Sequence, residues 1–389
     1  MGNSTLPFPC PFCGAHNSLK AVKGIGIVCK ICLTPTGIFG TSEFVCKTVI
    51  IEKVPLEKNI IVLENLGQWI KSIAIGNIDA KHKSVIVGLS NGDLRPYKFF
   101  RPQANKIVKW TMVGGLRLSS EILKVILTDL NGDGLDEIIA LDSSGNIVIG
   151  NYEKLYHKRI LDVKDVAISN FYFNKKRSIL LINSKKELIA LDLDASELLR
   201  YKLGELGEEG SINIIVNGDL DGDEVEELCI VQSGIKLFIT SITENRIFKR
   251  KKIYCKKFKE FKDNIISILT MDTNNDGMCE LIVATKNGLY CYDHTGERLW
   301  RHDVPNIVNI IVGDLNNDNR REITILTEEG NVIILSPRGI EIEKIKIPLD
   351  IFEQITCGTI GDADNDSFEE LLIGTTKGKI IMVKFLLTY

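Results

Sequence analysis

The sequence predicts an all-β fold, a seven-bladed β-propeller with four-stranded antiparallel blades that is closed by an N-terminal strand. A small cysteine-rich unit precedes the propeller. Three observations predict this fold in a chain of 389 residues: an acidic pattern recurs, strand-like runs flank each copy, and helical periodicity is missing. The formal net charge of −3 predicts no partner by itself.

The acidic pattern is ten residues long and is first seen as DLNGDGLDEI. Its five copies begin at Asp129, Asp219, Asp272, Asp314 and Asp362. Each has an acid at position 1, Asp or Asn at position 3, Asp at position 5 and Glu at position 9. Two degenerate copies, around Asp79 and Asn170, keep the flanking strands but lose most of the acidic residues. From Asp79 to Asp362 the seven copies are spaced about 47 residues apart on average, as propeller repeats are.

Each copy lies in the same succession of strand-like segments. A β-rich run such as KVILTDL precedes the acidic loop, and an alternating run such as DEIIALDS follows it. A glycine turn such as SSGN, a third strand and a more polar fourth strand complete most repeats. Each repeat is therefore predicted to form one blade, and seven blades are predicted to form a closed ring.

The closure of the ring is predicted from the incomplete last repeat. That repeat runs from Glu353 to Tyr389 and ends after its third strand. The segment FVCKTVII, residues 44–51, is predicted to supply the missing outer strand. The predicted domains are thus residues 1–43, the cysteine-rich unit with its linker, and residues 44–389, the propeller. The short linker also predicts that the N-terminal unit docks on the acidic-loop face and leaves the opposite face free for a partner.

The N-terminal cysteines form two C-x2-C pairs separated by fifteen residues. The four residues are Cys10, Cys13, Cys29 and Cys32. Two such pairs can complete a tetrahedral Zn²⁺ site, and four thiolates leave no open position, so the site is predicted to be structural. The alternative, two disulfides, conflicts with the reducing compartment inferred below. The stretch resembles the zinc ribbons, which implies that its partner is either a nucleic acid or a protein.

The acidic loops are predicted to bind Ca²⁺, with Mg²⁺ as the alternative ion, because oxygens at positions 1, 3, 5 and 9 can surround a hard cation. The predicted ligands are Asp129, Asn131, Asp133, Glu137, Asp219, Asp221, Asp223, Glu227, Asp272, Asn274, Asp276, Glu280, Asp314, Asn316, Asp318, Glu322, Asp362, Asp364, Asp366 and Glu370. An EF-hand is excluded, since it needs Glu at position 12 and flanking helices. Metal-free turns tied by Asx hydrogen bonds are the open alternative.

The loops are not expected to be equivalent. Gly134 and Gly277 at position 6 predict that the loops at Asp129 and Asp272 bind best, while Arg320 and Arg321 predict that the loop at Asp314 is the weakest. In the two degenerate copies, basic side chains lie where ligands would be or beside them. These are Lys81, Lys83, Lys175, Lys176 and Arg177, which we interpret either as substitutes for the cation or as exposed turn residues.

The repeats resemble the FG-GAP family of integrin-α-like propellers, through the acidic loops and over about residues 44–389. The resemblance implies a seven-bladed propeller with metal in its blade loops. It also implies a non-enzymatic scaffold or adaptor that mediates protein–protein interaction within a larger complex.

The remaining sequence features bear on location and on the alternatives. Neither a secretory signal nor an apolar run of ~20 residues is found, so a cytoplasmic protein without a membrane span is predicted. Dispersed histidines and missing catalytic motifs predict no enzyme and no small-molecule substrate. The lysine-rich stretch from Phe248 to Lys262 favours a nucleic-acid- or ribosome-associated factor as one alternative, although lysines also protect outer strands from edge pairing. A surface adhesin or lectin-like propeller is the other.

Overall fold

The computed structural model describes four short strands between residues 5 and 37, and then residues 57–79, 83–100, 109–112, 116–151, 154–169, 177–206, 210–245 and 250–386. Over these residues the secondary structure consists of strands, except for one 3-10 turn, Gly204–Leu206. None of the described residues belongs to a helix that is long and apolar enough to cross a membrane.

The N-terminal strands form a small antiparallel sheet in chain order. They are β1 (Thr5–Leu6), β2 (Leu19–Val22), β3 (Gly26–Cys29) and β4 (Pro35–Gly37). Leu19 pairs with Cys29, so the β2–β3 hairpin ends at the first cysteine of the second C-x2-C pair. Cys10, Cys13 and Cys32 lie outside the described residues, as does the predicted domain boundary at residues 43 and 44. The zinc site therefore stays a prediction.

The propeller begins with β5 (Glu57–Asn65) and continues as seven blades. Blade one contains β6 (Ile70–Gly76), β7 (Ser84–Leu89), β8 (Asp93–Phe100), β9 (Lys109–Met112) and β10 (Leu116–Arg117); blade two contains β11 (Ile122–Thr128), β12 (Glu137–Asp142), β13 (Asn146–Gly150) and β14 (Leu155–Arg159). Blade three contains β15 (Val163–Ser169), β16 (Ser178–Asn183), β17 (Glu187–Leu191) and β18 (Glu197–Lys202); blade four contains β19 (Ile212–Gly218), β20 (Glu227–Gln232), β21 (Lys236–Asn245) and β22 (Arg250–Glu260). Blade five contains β23 (Ile265–Met271), β24 (Glu280–Thr285), β25 (Gly288–Tyr292) and β26 (Arg298–His302); blade six contains β27 (Ile307–Gly313), β28 (Glu322–Thr327), β29 (Asn331–Leu335) and β30 (Glu341–Lys346). Blade seven contains β31 (Ile355–Gly361), β32 (Glu370–Thr375) and β33 (Lys379–Leu386).

The strand order confirms the predicted seven-bladed propeller. The innermost strands, β6, β11, β15, β19, β23, β27 and β31, pack against one another around the ring. The acidic and degenerate loops join first strands to second strands, and the glycine turns join second strands to third. Because neighbouring strands are antiparallel, all acidic loops lie on one face of the ring. The glycine turns and the connections between blades lie on the other, the glycine-turn face.

The core lies between consecutive blades. All six residues of each second strand are buried, since both sides of that strand pack against a neighbouring blade. Leu326 and Val332 of blade six, for example, pack with Ile373 and Ile381 of blade seven. This burial explains why the second strands read as nearly continuous apolar runs.

Within the described part of the lysine-rich stretch, Arg250–Glu260 forms β22, the outer strand of blade four, as the edge-protection interpretation expected. Some of its side chains already have partners on the protein. Lys259 Nζ lies 4.2 Å from the ring centre of Tyr292 in blade five, and Lys257 forms an ion pair with Glu260. The described part of this strand is therefore engaged, at least in part, by the propeller itself.

The ring is closed by an N-terminal strand, as predicted, but the strand is Glu57–Asn65. It pairs antiparallel with β33, from Asn65 opposite Lys379 to Glu57 opposite Leu386. Residues 44–51 lie outside the described residues, and the position predicted for them is occupied. The apolar run 44–51 was a poor choice on physical grounds, because an outer strand is half-exposed: Val62 of β5 is 54% exposed. The connection from residue 38 to residue 56 can reach ~65 Å, so its length no longer dictates where the N-terminal unit docks.

Candidate metal centres in the acidic loops

The aspartate at position 1 caps the backbone of its own loop. In blade two, Asp129 Oδ1 accepts the amide of Gly132 at 2.6 Å, and Asp129 Oδ2 accepts the amide of Gly134 at 2.8 Å. These amides, that of Gly134 above all, lower the pKa of Asp129. Equivalent bonds to the amide of position 6 are made by Asp219, Asp272, Asp314 and Asp362. The turn is thus held by hydrogen bonds of the Asx type.

Positions 4 and 6 adopt the left-handed conformation in all five loops. The residues are Gly132, Gly222, Asn275, Asn317 and Asn365 at position 4, and Gly134, Glu224, Gly277, Asn319 and Ser367 at position 6, with φ between +54° and +92°. Position 4 is always Gly or Asn, the residues that tolerate this region best. Position 6 keeps the conformation even as Glu224 or Ser367. The backbone conformation at position 6 is therefore the same whether or not the residue is glycine, so it does not distinguish the loops at Asp129 and Asp272 from the others.

The glutamate at position 9 is buried in every loop and binds the amide of position 2. The accepting residues are Glu137, Glu227, Glu280, Glu322 and Glu370, at N–O distances of 2.7 to 3.0 Å. Burial raises the pKa of Glu227 to about 7, that of Glu322 to about 8 and that of Glu370 to about 7. A buried carboxylate of this kind is stabilised by a nearby positive charge.

In blades two, five and six, position 3 is an asparagine whose amide nitrogen lies between two carboxylates. Asn131 Nδ2 is 3.0 Å from Asp133 Oδ2 and 2.9 Å from Glu137 Oε1. Asn274 and Asn316 make the same two bonds in blades five and six. The amide satisfies these oxygens without an ion. By turning, the same side chain would present its oxygen to an ion, so these loops fit either state.

Blade four has a carboxylate where those loops have an amide. Oxygens of Asp219, Asp221 and Glu227 lie within 4.8 Å of one another. In blade six, oxygens of Asp314, Asp318 and Glu322 also lie within 4.8 Å of one another. An all-oxygen set of this kind suits Ca²⁺ or Mg²⁺. The loop of blade four has a fourth carboxylate, Asp221 at position 3, and therefore fits a divalent cation better on charge than the loops of blades two, five and six.

Blade seven has four carboxylates and a lysine among them. Lys384, on the third strand β33, has its Nζ 2.7 Å from Asp364 Oδ2 and 3.0 Å from Glu370 Oε1, and it also forms an ion pair with Asp366. Burial alone would lower the pKa of Lys384, but the hydrogen bonds with Asp364 and Asp366 outweigh it and the pKa is raised. This side chain was not among the residues singled out by the sequence.

In the degenerate loop of blade one, Asp79 also forms an ion pair with a lysine of the third strand, Lys98. The loop pattern pointed to Lys81 and Lys83 here, and Lys81 lies outside the described residues. Lys98 and Lys384 occur in the similar segments YKFF and VKFL, a signal that lies outside the loop pattern.

In the degenerate loop of blade three, Lys175 and Lys176 lie outside the described residues. Arg177 is described, and it contacts the neighbouring blade. Its Nη1 donates to Thr128 Oγ1 of blade two at 2.9 Å. Arg177 therefore links two blades on the acidic-loop face.

A small cavity lies beside this arginine. Its volume is about 230 Å³, and it is lined by Thr128, Ile168, Ser169, Arg177 and Glu226. Within it, Ser169 Oγ donates to Glu226 Oε2 at 2.6 Å. The volume is below the ~300–1,000 Å³ of typical small-molecule sites.

The glycine-turn face carries an exposed apolar turn, residues 350–353, at the entry to blade seven. Ile351 is 77% exposed and Phe352 is 94% exposed. Phe352 has a φ of +60°, and the turn is held from below by the buried Glu353. Glu353 Oε2 accepts the Asp350 amide at 2.8 Å and a bond from Lys379 Nζ at 2.8 Å. The turn is thus fixed to blade seven while its apolar side chains face solvent.

The fold and its closure place the protein in the class of seven-bladed β-propellers. Among solved structures it is similar to BBS1N in complex with ARL6DN, soaked with lead (TM-score 0.64, 10% identity, 87% of this chain and 99% of that one). It is also similar to the same complex soaked with mercury (0.63, 10%, 85% and 97%) and to Sqt1 of Saccharomyces cerevisiae (0.58, 9%, 86% and 100%). No family model and no curated protein matches the sequence. At this identity the likeness shows the fold alone.

Proposed function

We propose that the protein is a non-enzymatic cytoplasmic scaffold or adaptor that binds a protein partner through the glycine-turn face of blade seven. The observation that carries this proposal is the apolar turn 350–353, with Ile351 and Phe352 exposed. Apolar and aromatic side chains that are held out into solvent are typical of protein interaction sites.

The conformation of the turn supports an interaction role. A left-handed conformation costs about 1–2 kcal/mol for a residue with a Cβ atom. Phe352 adopts it without burying its ring, so packing within the propeller does not compensate for that cost. Glu353 and Lys379 hold the turn in this shape, and a partner would therefore meet a preformed surface.

A third apolar side chain lies beside the glycine turn of blade seven, residues 375–378, which adjoins the apolar turn. Trp69, in the connection from β5 to blade one, is 52% exposed, and Gly378 of the turn approaches the backbone of the adjacent Gln68. The proposed surface thus consists of Trp69, Ile351 and Phe352 around the glycine turn of blade seven. The structure of BBS1N with ARL6DN shows that a propeller of similar shape forms a protein complex.

The metals have structural roles in this proposal. Ca²⁺, or Mg²⁺, is proposed to stabilise the acidic loops, with blade four the best candidate because Asp221 at position 3 gives it a fourth carboxylate. Zn²⁺ is proposed at Cys10, Cys13, Cys29 and Cys32. Elemental analysis of the wild type and of a Cys10→Ser/Cys29→Ser variant tests the zinc site. We expect one zinc per chain in the wild type and none in the variant.

That the protein is not an enzyme, and that it lies in the cytoplasm, are proposed from two further observations. The aspartates at position 1 and the glutamates at position 9 are engaged by the amides of their own loops, which leaves them poorly placed for acid–base chemistry. The unpaired thiols of Cys229, Cys291 and Cys357 are typical of a reducing compartment.

The interaction is tested by affinity capture with quantitative mass spectrometry. Proteins captured by the wild type should be lost with Ile351→Ser/Phe352→Ser and retained with Ile340→Ser. Ile340 is a matched control, since it is 66% exposed but lies in a turn on the acidic-loop face. If the double variant keeps every partner that the wild type binds, this surface is not the binding site.

A further inference from the structure

We propose that the ammonium group of Lys384 is the resident cation of the blade-seven loop, in place of the Ca²⁺ ion that the acidic spacing predicts. Lys98 has the corresponding role in blade one. The two blades that meet at the closure of the ring would then be held without a divalent metal. This inference concerns the metal part of the proposed function and does not depend on the protein partner.

The ammonium group of Lys384 lies among three carboxylates of the loop. Its Nζ donates to Asp364 Oδ2 and Asp366 Oδ2 and forms an ion pair with Glu370 Oε1 at 3.0 Å. The fourth, Asp362, accepts the amides of Asp366 and Ser367, both at 3.0 Å. The carboxylates at positions 3, 5 and 9, which would coordinate an ion, thus contact the lysine instead.

The same arrangement recurs in blade one at the equivalent positions. Asp364 is the third residue after Gly361, which ends β31, and Asp79 is the third residue after Gly76, which ends β6. Lys98 pairs across the sheet with Ser84, the first residue of β7. Lys384 comes directly after Val383, which pairs with Leu371, the second residue of β32. Both lysines therefore lie on the third strand, opposite the first residue of the second strand, and from there each contacts the aspartate at position 3 of its loop.

The register places other residues at this point in three further acidic loops. In each of these blades, the residue directly after the third strand, which by register lies opposite the first residue of the second strand, corresponds to Lys384. It is Asn151 in blade two, Asp293 in blade five and Ser336 in blade six. None of these can place an ammonium group in the loop. The lysine thus distinguishes blade seven from these three loops, although all share the acidic spacing.

An ion and this ammonium group are not expected to share the loop. A cation coordinated by Asp364, Asp366 and Glu370 would lie within ~4 Å of Lys384 Nζ, where like charges repel strongly in a partly buried site. Lys384 belongs to β33, which pairs with the closing strand β5, and only 19% of its side chain is exposed. The lysine therefore joins the acidic loop to the strand that closes the ring.

The experiment measures Ca²⁺ stoichiometry on the full chain by equilibrium dialysis, for the wild type, Lys384→Ser and Lys98→Ser. We expect Lys384→Ser to bind one more Ca²⁺ per chain than the wild type, because it frees the carboxylates of blade seven. Lys98→Ser is the matched control: it makes the same change beside a loop with a single carboxylate, Asp79, and should bind as the wild type does.

A second measurement covers the case in which Lys384→Ser fails to fold. Asp364→Asn/Asp366→Asn, with Lys384 kept, should leave the wild-type stoichiometry unchanged. A loss of one Ca²⁺ in that variant, or no gain in folded Lys384→Ser, would overturn the proposal. Wild-type protein that binds no Ca²⁺ at all would remove the proposed calcium role of the other blades, whereas a gain in Lys384→Ser would still support this inference.

Discussion

Blades four and seven share the acidic spacing but differ in what stands at the centre of the loop. In blade four, Asp219, Asp221 and Glu227 converge, and the best candidate for a balancing charge is a bound ion. In blade seven, Lys384 lies among Asp364, Asp366 and Glu370. The loops themselves are alike, with the same left-handed positions and the same buried glutamate.

The difference teaches that the acidic pattern specifies the shape of the loop and not its occupant. The shape comes from local hydrogen bonds, such as those that Asp219 and Asp362 accept from the amide of position 6. The occupant depends on a residue far along the chain, on the third strand.

Removal of the lysine is expected to have the largest effect. In chelator, Lys384→Ser should lower the free energy of unfolding by about 3 kcal/mol, because it leaves three partly buried carboxylates without their cation. Added Ca²⁺ should restore part of the loss. Denaturant unfolding with and without Ca²⁺ measures both effects.

Two comparisons limit this prediction. Lys98→Ser should cost less, since its carboxylate partner Asp79 is 32% exposed at its side chain and can be rehydrated. Lys377→Ser, which removes an exposed partner of Asp350 at 3.9 Å, should cost less than ~1 kcal/mol. If Lys384→Ser is as stable as Lys377→Ser, the ammonium does not hold the loop together.

The second prediction concerns blade four. Ca²⁺ added to metal-stripped wild type should raise the melting temperature, since an ion that binds only the folded state at 100 times its Kd stabilises it by ~2.7 kcal/mol. Asp221→Asn should reduce this shift, because it removes one of three converging carboxylates. Asp364→Asn should leave the shift unchanged. Equal effects of the two variants would contradict the comparison between the blades.

The third prediction concerns the backbone, for which the two blades should behave alike. Glu224→Gly and Ser367→Gly should each stabilise the protein by about 0.5–1 kcal/mol, because both residues adopt a left-handed conformation, with φ of +65° and +72°. Gly134→Ala is the reverse test. It has φ of +85° and open space around it, so a loss of about 1–2 kcal/mol would report on the conformation alone.

Much of the fold was predictable from local patterns. The Gly turns and the largely apolar second strands, such as Glu280–Thr285, predicted the blade and the order of its strands. The closing strand was predicted in kind but misplaced. Its pairing with β33 joins Asn65 to Lys379, more than 300 residues away, so local patterns do not reveal the pairing, although the polar character of an outer strand favoured Glu57–Asn65 over the apolar run 44–51.

The acidic loops were also predictable as loops, because ligand-like residues and turn residues are local. Lys384 and Lys98 were not found, because each reaches its loop across a strand pair rather than along the chain. A residue's neighbour in a sheet is fixed by register, which the spacing within one loop cannot reveal. The repeated KF in YKFF and VKFL was a local signal, and it becomes meaningful once the third strands are aligned.

The last and smallest effect concerns the glycine-turn face, where blade seven again uses charge and blade four does not. Burial tends to raise the pKa of Glu353, but hydrogen bonds from Lys379, Asp350 and Thr375 outweigh it, and the pKa lies below the usual 4.5. A lowered pKa adds stability above pH 4.5 that is lost as the pH falls through the folded-state value. The difference in unfolding free energy between the wild type and Glu353→Gln should therefore shrink below pH 4.5. In blade four, the neutral Gln232 donates to the Leu206 carbonyl at 2.8 Å, so the cost of Gln232→Leu should not change with pH. A pH-independent cost in both blades would show that Glu353 holds the apolar turn by shape and not by charge.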